Sequence, residues 1–126
     1  MIVFASRTGN VRYIASKLIG VKLEITEGLI LHQPYLLMTY TDRLGEIPEI
    51  VGRFLETNAQ RCKGVVVSGN RNFGQYNFGA AGDKIAKLYN IPLVRKIDLR
   101  GYQADYEAVQ RFYEKRVLNE IILETK

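Results

Sequence analysis

Five short strand-like runs punctuate the chain, at Ile2–Ala5, Val21–Ile25, Tyr35–Tyr40, Val65–Ser68 and Leu93–Leu99. Several are continuously apolar rather than alternating, the pattern of strands covered on both faces. Helical periodicity fills the gaps between them. Val11, Ile14, Ala15, Leu18 and Ile19 make one apolar face, which Gly20 ends. Pro48 sits where a first helical turn tolerates proline, and Ile50, Val51, Phe54 and Leu55 follow at helical spacing. Phe78, Ala81, Ile85, Leu88 and Tyr89 make a third face, and Tyr106, Val109, Phe112, Tyr113 and Val117 a fourth.

Strands alternating with helices predict an α/β fold: a doubly wound, five-stranded parallel sheet of order 2-1-3-4-5 with helices on both faces. The tract Thr26–Pro34 is near the lower limit for a parallel crossover and predicts a single helical turn or an irregular connection. Ligands of such sheets bind beyond the carboxyl ends of the strands, at the switch point between strands one and three. Three segments should meet there: Ser6–Asn10, Tyr40–Gly45 and Gly69–Phe78. All are rich in hydroxyl, amide, glycine and aromatic residues.

Each segment suggests a different task. In Ser6-Arg7-Thr8-Gly9-Asn10-Val11, the hydroxyls of Ser6 and Thr8 and the backbone N–H groups from Arg7 to Val11 can hold an anion where the next helix begins. Gly9 permits a close backbone approach. No Gly-Lys-Ser/Thr follows and no Gly-x-Gly-x-x-Gly is present, so a terminal phosphomonoester suits this loop better than a pyrophosphate. The alternative is a capped helix with no ligand. In Tyr40-Thr41-Asp42-Arg43-Leu44-Gly45 a flat ring is followed by a hydroxyl and by a glycine whose peptide can reorient cheaply. The third segment, Ser68–Phe78, holds two glycines, three asparagines and three aromatics in eleven residues, a poor recipe for packing. It suits backbone groups rimming a heterocycle, with Gly69, Asn70, Asn72, Phe73 and Gly74 as the candidates.

Composition excludes more than it selects. A length of 126 residues, with 47% hydrophobic and 25% charged, predicts one domain spanning 1–126. No apolar segment nears the roughly 18 residues of a membrane span, and no leader pattern precedes the first strand. A single cysteine, Cys62, rules out an internal disulfide, and the cytoplasm is the expected compartment. His32 is the only histidine, so a histidine metal cluster is impossible and no nucleophile–histidine pair can be placed. The net charge is +5, but its lysines and arginines are spread along the chain rather than interleaved with aromatics. That argues against nucleic acid and leaves a solvated basic surface, an anionic cofactor or an acidic partner as the readings.

Ser6-Arg7-Thr8-Gly9-Asn10 resembles the FMN phosphate loop of flavodoxins. Combined with Tyr35–Thr41, Ser68-Gly69-Asn70-Arg71-Asn72-Phe73-Gly74 and Ala81-Gly82-Asp83, the chain up to about Arg116 resembles the NrdI family, flavodoxin-like proteins of class Ib ribonucleotide reductase systems. The resemblance implies a flavodoxin-like sheet with FMN phosphate on Ser6 to Val11. The isoalloxazine would lie between Tyr40–Gly45 and Gly69–Gly74, with Phe73 stacking and Gly45 or a neighbouring peptide reorienting toward the flavin. It implies a flavodoxin-type reductase as electron source. It further implies an oxidant, superoxide or peroxide, made from O₂ for the dimanganese small subunit of the reductase. Such a protein has no catalytic triad, and its chemistry belongs to the cofactor. Val11 stands where many flavodoxins carry a further threonine, and the second crossover is short for an electron-transfer flavodoxin. A general electron carrier and a ligandless interaction module are the alternatives. Arg7, Arg43 and Arg71 are expected to favour an anionic reduced flavin more than the distant charges do. The tail Leu118–Lys126 lies outside the match and is expected to extend the last helix.

Overall fold

In a computed structural model of the chain, which describes residues 1–124, the run Tyr35–Tyr40 forms the central strand because both of its faces are covered. This strand is β3. Beside it lie β1 (Ile2–Phe4) and β4 (Cys62–Gly69), and the edges are β2 (Lys22–Glu24) and β5 (Leu93–Asp98). Every pairing is parallel, in the order β2-β1-β3-β4-β5. The predicted topology is therefore the observed one.

The strand pleat explains the continuous apolar runs. Ile2, Phe4, Leu36, Met38, Val66 and Ile97 face a layer formed by α1 (Asn10–Ser16) and α4 (Gln103–Phe112). Their alternates Val3, Tyr35, Leu37 and Val65 face α2 (Glu49–Asn58) and α3 (Ala80–Tyr89). Successive side chains enter opposite cores, so no polar position is spared along β3 until Thr39.

The crossover Thr26–Pro34 contains no helix. Its backbone polar groups are instead satisfied by a buried asparagine at the end of α2. The Asn58 side chain accepts from Leu31 N–H at 2.8 Å and donates to the Leu29 and Phe54 carbonyls at 2.9 Å. The Tyr35 hydroxyl donates to the Asn58 carbonyl at 2.8 Å, tying this plug to β3. One amide side chain thus substitutes for the hydrogen bonds a crossover helix makes internally.

Three apolar residues depart from expectation. Ile19, Val21 and Leu88 are 80%, 65% and 67% exposed. The turn after α1 is fixed through its backbone: the Gln110 side chain accepts from Ile19 N–H at 2.8 Å and donates to its carbonyl at 3.0 Å. Gly20 lies so close to the Tyr113 ring that a Cβ there would sit 2.9 Å from it. The Ile19 side chain is left pointing outward. Leu99, which the sequence places at the end of β5, turns out of the strand at φ 55. The last helix continues α4 through a π-helical segment, Tyr113–Leu118, into α5 (Asn119–Glu124). The tail is therefore helical to Glu124, and residues 125–126 lie outside the described part. No helix among the described residues is long and apolar enough to cross a membrane.

Two outcomes test these packing assignments. Asn58→Ala leaves buried N–H and C=O groups unpaired and should cost about 1–3 kcal/mol. Leu88→Ala should fall within about 0.5 kcal/mol of wild type, as exposed substitutions do. Chemical denaturation distinguishes these values.

Burial pushes the Cys62 thiol up to about 12 from its ordinary 9.0. The folded protein therefore holds this proton where the unfolded chain has released it. The stability it contributes is complete below pH 9 and is lost as pH rises from 9 toward 12. Denaturation midpoints measured across that window should fall more steeply for wild type than for Cys62→Ala.

Candidate functional site

The ends of β1, β3 and β4 deliver three loops to one sheet edge. The first runs from Ser6 into α1. Its N-cap is Gly9, at φ 95, and no side chain caps the helix there. The Ser6 hydroxyl instead accepts from Arg12 N–H at 3.3 Å. Thr8 and Asn10 are thus not used as the side-chain caps that a plain helix start would need.

The second loop is a tight turn. Asp42 and Glu46 exchange backbone hydrogen bonds of 2.8 and 2.7 Å, and Arg43 adopts φ 45 between them. Gly45 packs against α3, where a Cβ would lie 2.8 Å from that of Ala80. The third loop begins with a 3₁₀ turn at Arg71–Phe73. Asn70 Oδ1 accepts from Asn72 N–H at 2.9 Å, and Asn77 Nδ2 donates to the Phe73 carbonyl at 2.9 Å. Gly74 has φ 92 and ψ 158, a region essentially closed to other residues.

The loops are fastened where the sheet ends. Thr41 N–H donates to the Ser68 carbonyl at 3.1 Å and Leu99 N–H to the Gly69 carbonyl at 2.7 Å. The Ser68 hydroxyl donates to the Leu99 carbonyl at 2.6 Å, and Arg71 N–H donates to Asp98 Oδ1 at 3.1 Å. Gly69 is required for close packing, since a Cβ would sit 2.9 Å from the Gly79 nitrogen.

Together the loops enclose a cavity of about 380 Å³. Among the predicted residues, Ser6, Arg7, Thr8, Asn10, Val11, Tyr40, Thr41, Arg43, Gly69, Asn70 and Phe73 line it. Gly9, Asp42, Leu44, Gly45, Asn72 and Gly74 do not. Gly9 and Gly74 shape the turns, Gly45 supports α3, Asn72 closes the 3₁₀ turn through its N–H, and Leu44 is exposed. Ser68, Asn77 and Leu99 also line the cavity. Ser68 and Asn77 belong to the third segment that the sequence marks, whereas Leu99 gives no sign beyond ending a strand-like run before Arg100-Gly101.

The electrostatics differ from the count of arginines. Arg7 Nη1 lies 2.5 Å from Asp42 Oδ1, with its guanidinium 5.1 Å from the centre of the Tyr40 ring. Arg43 and Arg71 each approach a carboxylate at 4.0 Å, Glu46 and Asp98 respectively. The three arginines expected to dominate are therefore each beside a negative group. No aspartate or glutamate lines the cavity itself. Ser6, Thr8 and Asn10 bring hydroxyl and amide groups to the first loop, while Thr41, Ser68, Asn70 and Asn77 bring them to the other two, where the Tyr40 and Phe73 rings also stand. That donor set fits a phosphomonoester joined to a flat heterocycle: hydroxyls and a helix start at the first loop, π-faces with hydrogen-bonding groups beside them at the other two, and no carboxylate in the lining to repel the anion.

Residues 2–111 match the family described as NrdI flavodoxin-like. The chain is 38% identical over 117 residues to the protein NrdI of Bacillus licheniformis, covering 92% of this chain and 88% of that one. The fold is also similar to the structure of a short-chain flavodoxin associated with a non-canonical PDU bacterial microcompartment. The TM-score is 0.65 at 23% identity, over 90% of this chain and 92% of that one.

The left-handed Gly74 offers a test of how the third loop is held. Open space surrounds its Cβ position, so Gly74→Ala meets only conformational strain. It should cost about 1–3 kcal/mol by thermal or chemical denaturation.

Proposed function

The chain belongs to the NrdI flavodoxin-like family, and on that premise we propose that it binds FMN across the three loops. Reduced by a flavodoxin-type reductase, it supplies oxidant made from O₂ to the dimanganese small subunit of a class Ib ribonucleotide reductase. The observation that carries this reading is the single cavity lined by all three loops and by no carboxylate.

FMN, when bound, supplies the electron transfer to O₂; the protein supplies position and surroundings. Ser6 and Thr8 offer hydroxyls, and the backbone from Arg7 to Val11 offers N–H donors, to the phosphate. Tyr40 and Phe73 provide faces for the ring. Phe73 is 55% exposed, so the ring site opens to solvent and to an approaching partner. The Arg7–Asp42 pair joins the first loop to the second and offsets a carboxylate that would otherwise disfavour an anionic ring. The cytoplasm is the compartment in which this chemistry and its partners would meet.

Purified protein supplied with FMN should turn yellow, absorbing near 450 nm (roughly, as oxidised flavins do). After reduction it should consume O₂, and a manganese-loaded small subunit should then develop a tyrosyl radical signal by electron paramagnetic resonance. Protein that takes up no FMN, or reduced protein that leaves the subunit radical-free, would overturn the proposal. Electron delivery to unrelated reductases without radical formation would point to a general carrier.

A further inference from the structure

Resting on the FMN reading, we propose that Arg100 is a specificity residue of the phosphate end of the site, selecting the phosphorylated flavin over its uncharged parent. Arg100 lies in the turn between β5 and α4. Leu99 and Gly101 both have positive φ, 55 and 71, so the chain reverses around it. A side chain at Gly101 would lie 2.5 Å from Ile97 Cγ2 and 2.9 Å from Asp105 Oδ2, so the turn is tightly built. The Tyr106 hydroxyl donates to the Arg100 carbonyl at 2.6 Å and fixes the backbone from below.

The side chain crosses to the first loop. Its Nε donates to Asn10 Oδ1 at 3.3 Å, and its guanidinium lies 4.7 Å from the centre of the Tyr13 ring. Asn10 and Leu99 line the main cavity, and both also line a second cavity of about 370 Å³ that Arg100 borders. Arg100 thus lines the space beside the main cavity, together with Asp98 and next to the two residues that border both.

Its charge is also the least compensated at this edge. Arg7, Arg43 and Arg71 each have a carboxylate within 4.0 Å. Among the described residues no carboxylate stands so near Arg100, and its two Nη groups make no hydrogen bond. An unspent guanidinium fork matches the oxygens of a phosphomonoester, which carries about −1.5 to −2 at neutral pH. Salt screens an exposed charge beyond about 8 Å, so only an anion seated on the first loop benefits. Neutral riboflavin gains nothing from it.

The test titrates the full chain, freed of flavin, with FMN and with riboflavin, following quenching of flavin fluorescence at low and high salt. Arg100→Met should weaken FMN binding about tenfold or more, flatten its salt dependence and leave the riboflavin affinity unchanged. Arg100→Lys should recover part of the loss. Equal weakening of both flavins by Arg100→Met would mean a structural role and overturn the inference, as would wild-type FMN affinity in that variant. Wild-type protein that binds neither flavin would remove the proposed function together with this inference. Wild-type protein that binds FMN no better than Arg100→Met removes the inference alone.

Discussion

Parallel pairing of β1, β3 and β4 is the constraint on which the rest of the molecule depends. Parallel strands need crossovers, and crossovers return every strand with its carboxyl end at the same edge. β1 leaves toward β2 on one side and β3 toward β4 on the other, which opens a crevice between their loops. The register sets Phe4 beside Met38 and Tyr40 beside Ser68. A slip of one residue would turn both apolar layers inside out, because the side-chain period is two. The cores on the two faces therefore hold the register, and the register holds the loops. Packing far from the cavity is what brings Ser6, Tyr40 and Phe73 to its walls.

The loops are not held alike. The second, the third and the turn after β5 are joined by hydrogen bonds that continue the sheet past its last rungs: Thr41 to Ser68, Leu99 to Gly69, and Ser68 back to Leu99. Three of the walls thus form one partly buried network. The first loop is joined to them beyond the end of β1 by Arg7 to Asp42 and Asn10 to Arg100, both exposed side-chain contacts. Exposed pairs of this kind contribute about 0–1 kcal/mol each. The flat part of a ligand would meet fixed walls, and its anionic part an adaptable one.

What was legible in the sequence follows from the same division. β3 and β4 read clearly because their two covered faces leave only apolar residues over most of their length, and the loop chemistry stood out because glycines and asparagines interrupted those runs. The irregular crossover was legible from its length, but its plug was not: Asn58 looks like any polar residue at a helix end. Leu88 and Ile19 fit helical periodicity yet face outward, since periodicity marks a stripe but not how far the neighbouring layer extends. Leu99 misled for another reason. An apolar residue two positions after Ile97 continues the strand alternation, and only the hydrogen bonds to Ser68 and Gly69 reveal the turn. The π-helical segment at Tyr113–Leu118 has no sequence mark; it lets Tyr113 and Val117 stay buried while α5 continues beyond.

A net charge of +5 invites the inference of a positive site, but bulk charge is screened within about 8 Å and mostly serves solubility and encounter. The field at the cavity depends on placement. Arg7 is cancelled locally by Asp42, and Arg43 and Arg71 are partly cancelled by Glu46 and Asp98. What distinguishes the cavity is that Arg7 and Arg43 belong to its lining while their partners Asp42 and Glu46 do not. An anion entering it meets hydroxyls, amides and the guanidinium groups of Arg7 and Arg43, whereas neither Arg71 nor Asp98 lines it. The pairing that lowers the net field thus orients it, and a chain with the same composition but the pairs reversed would present the opposite face.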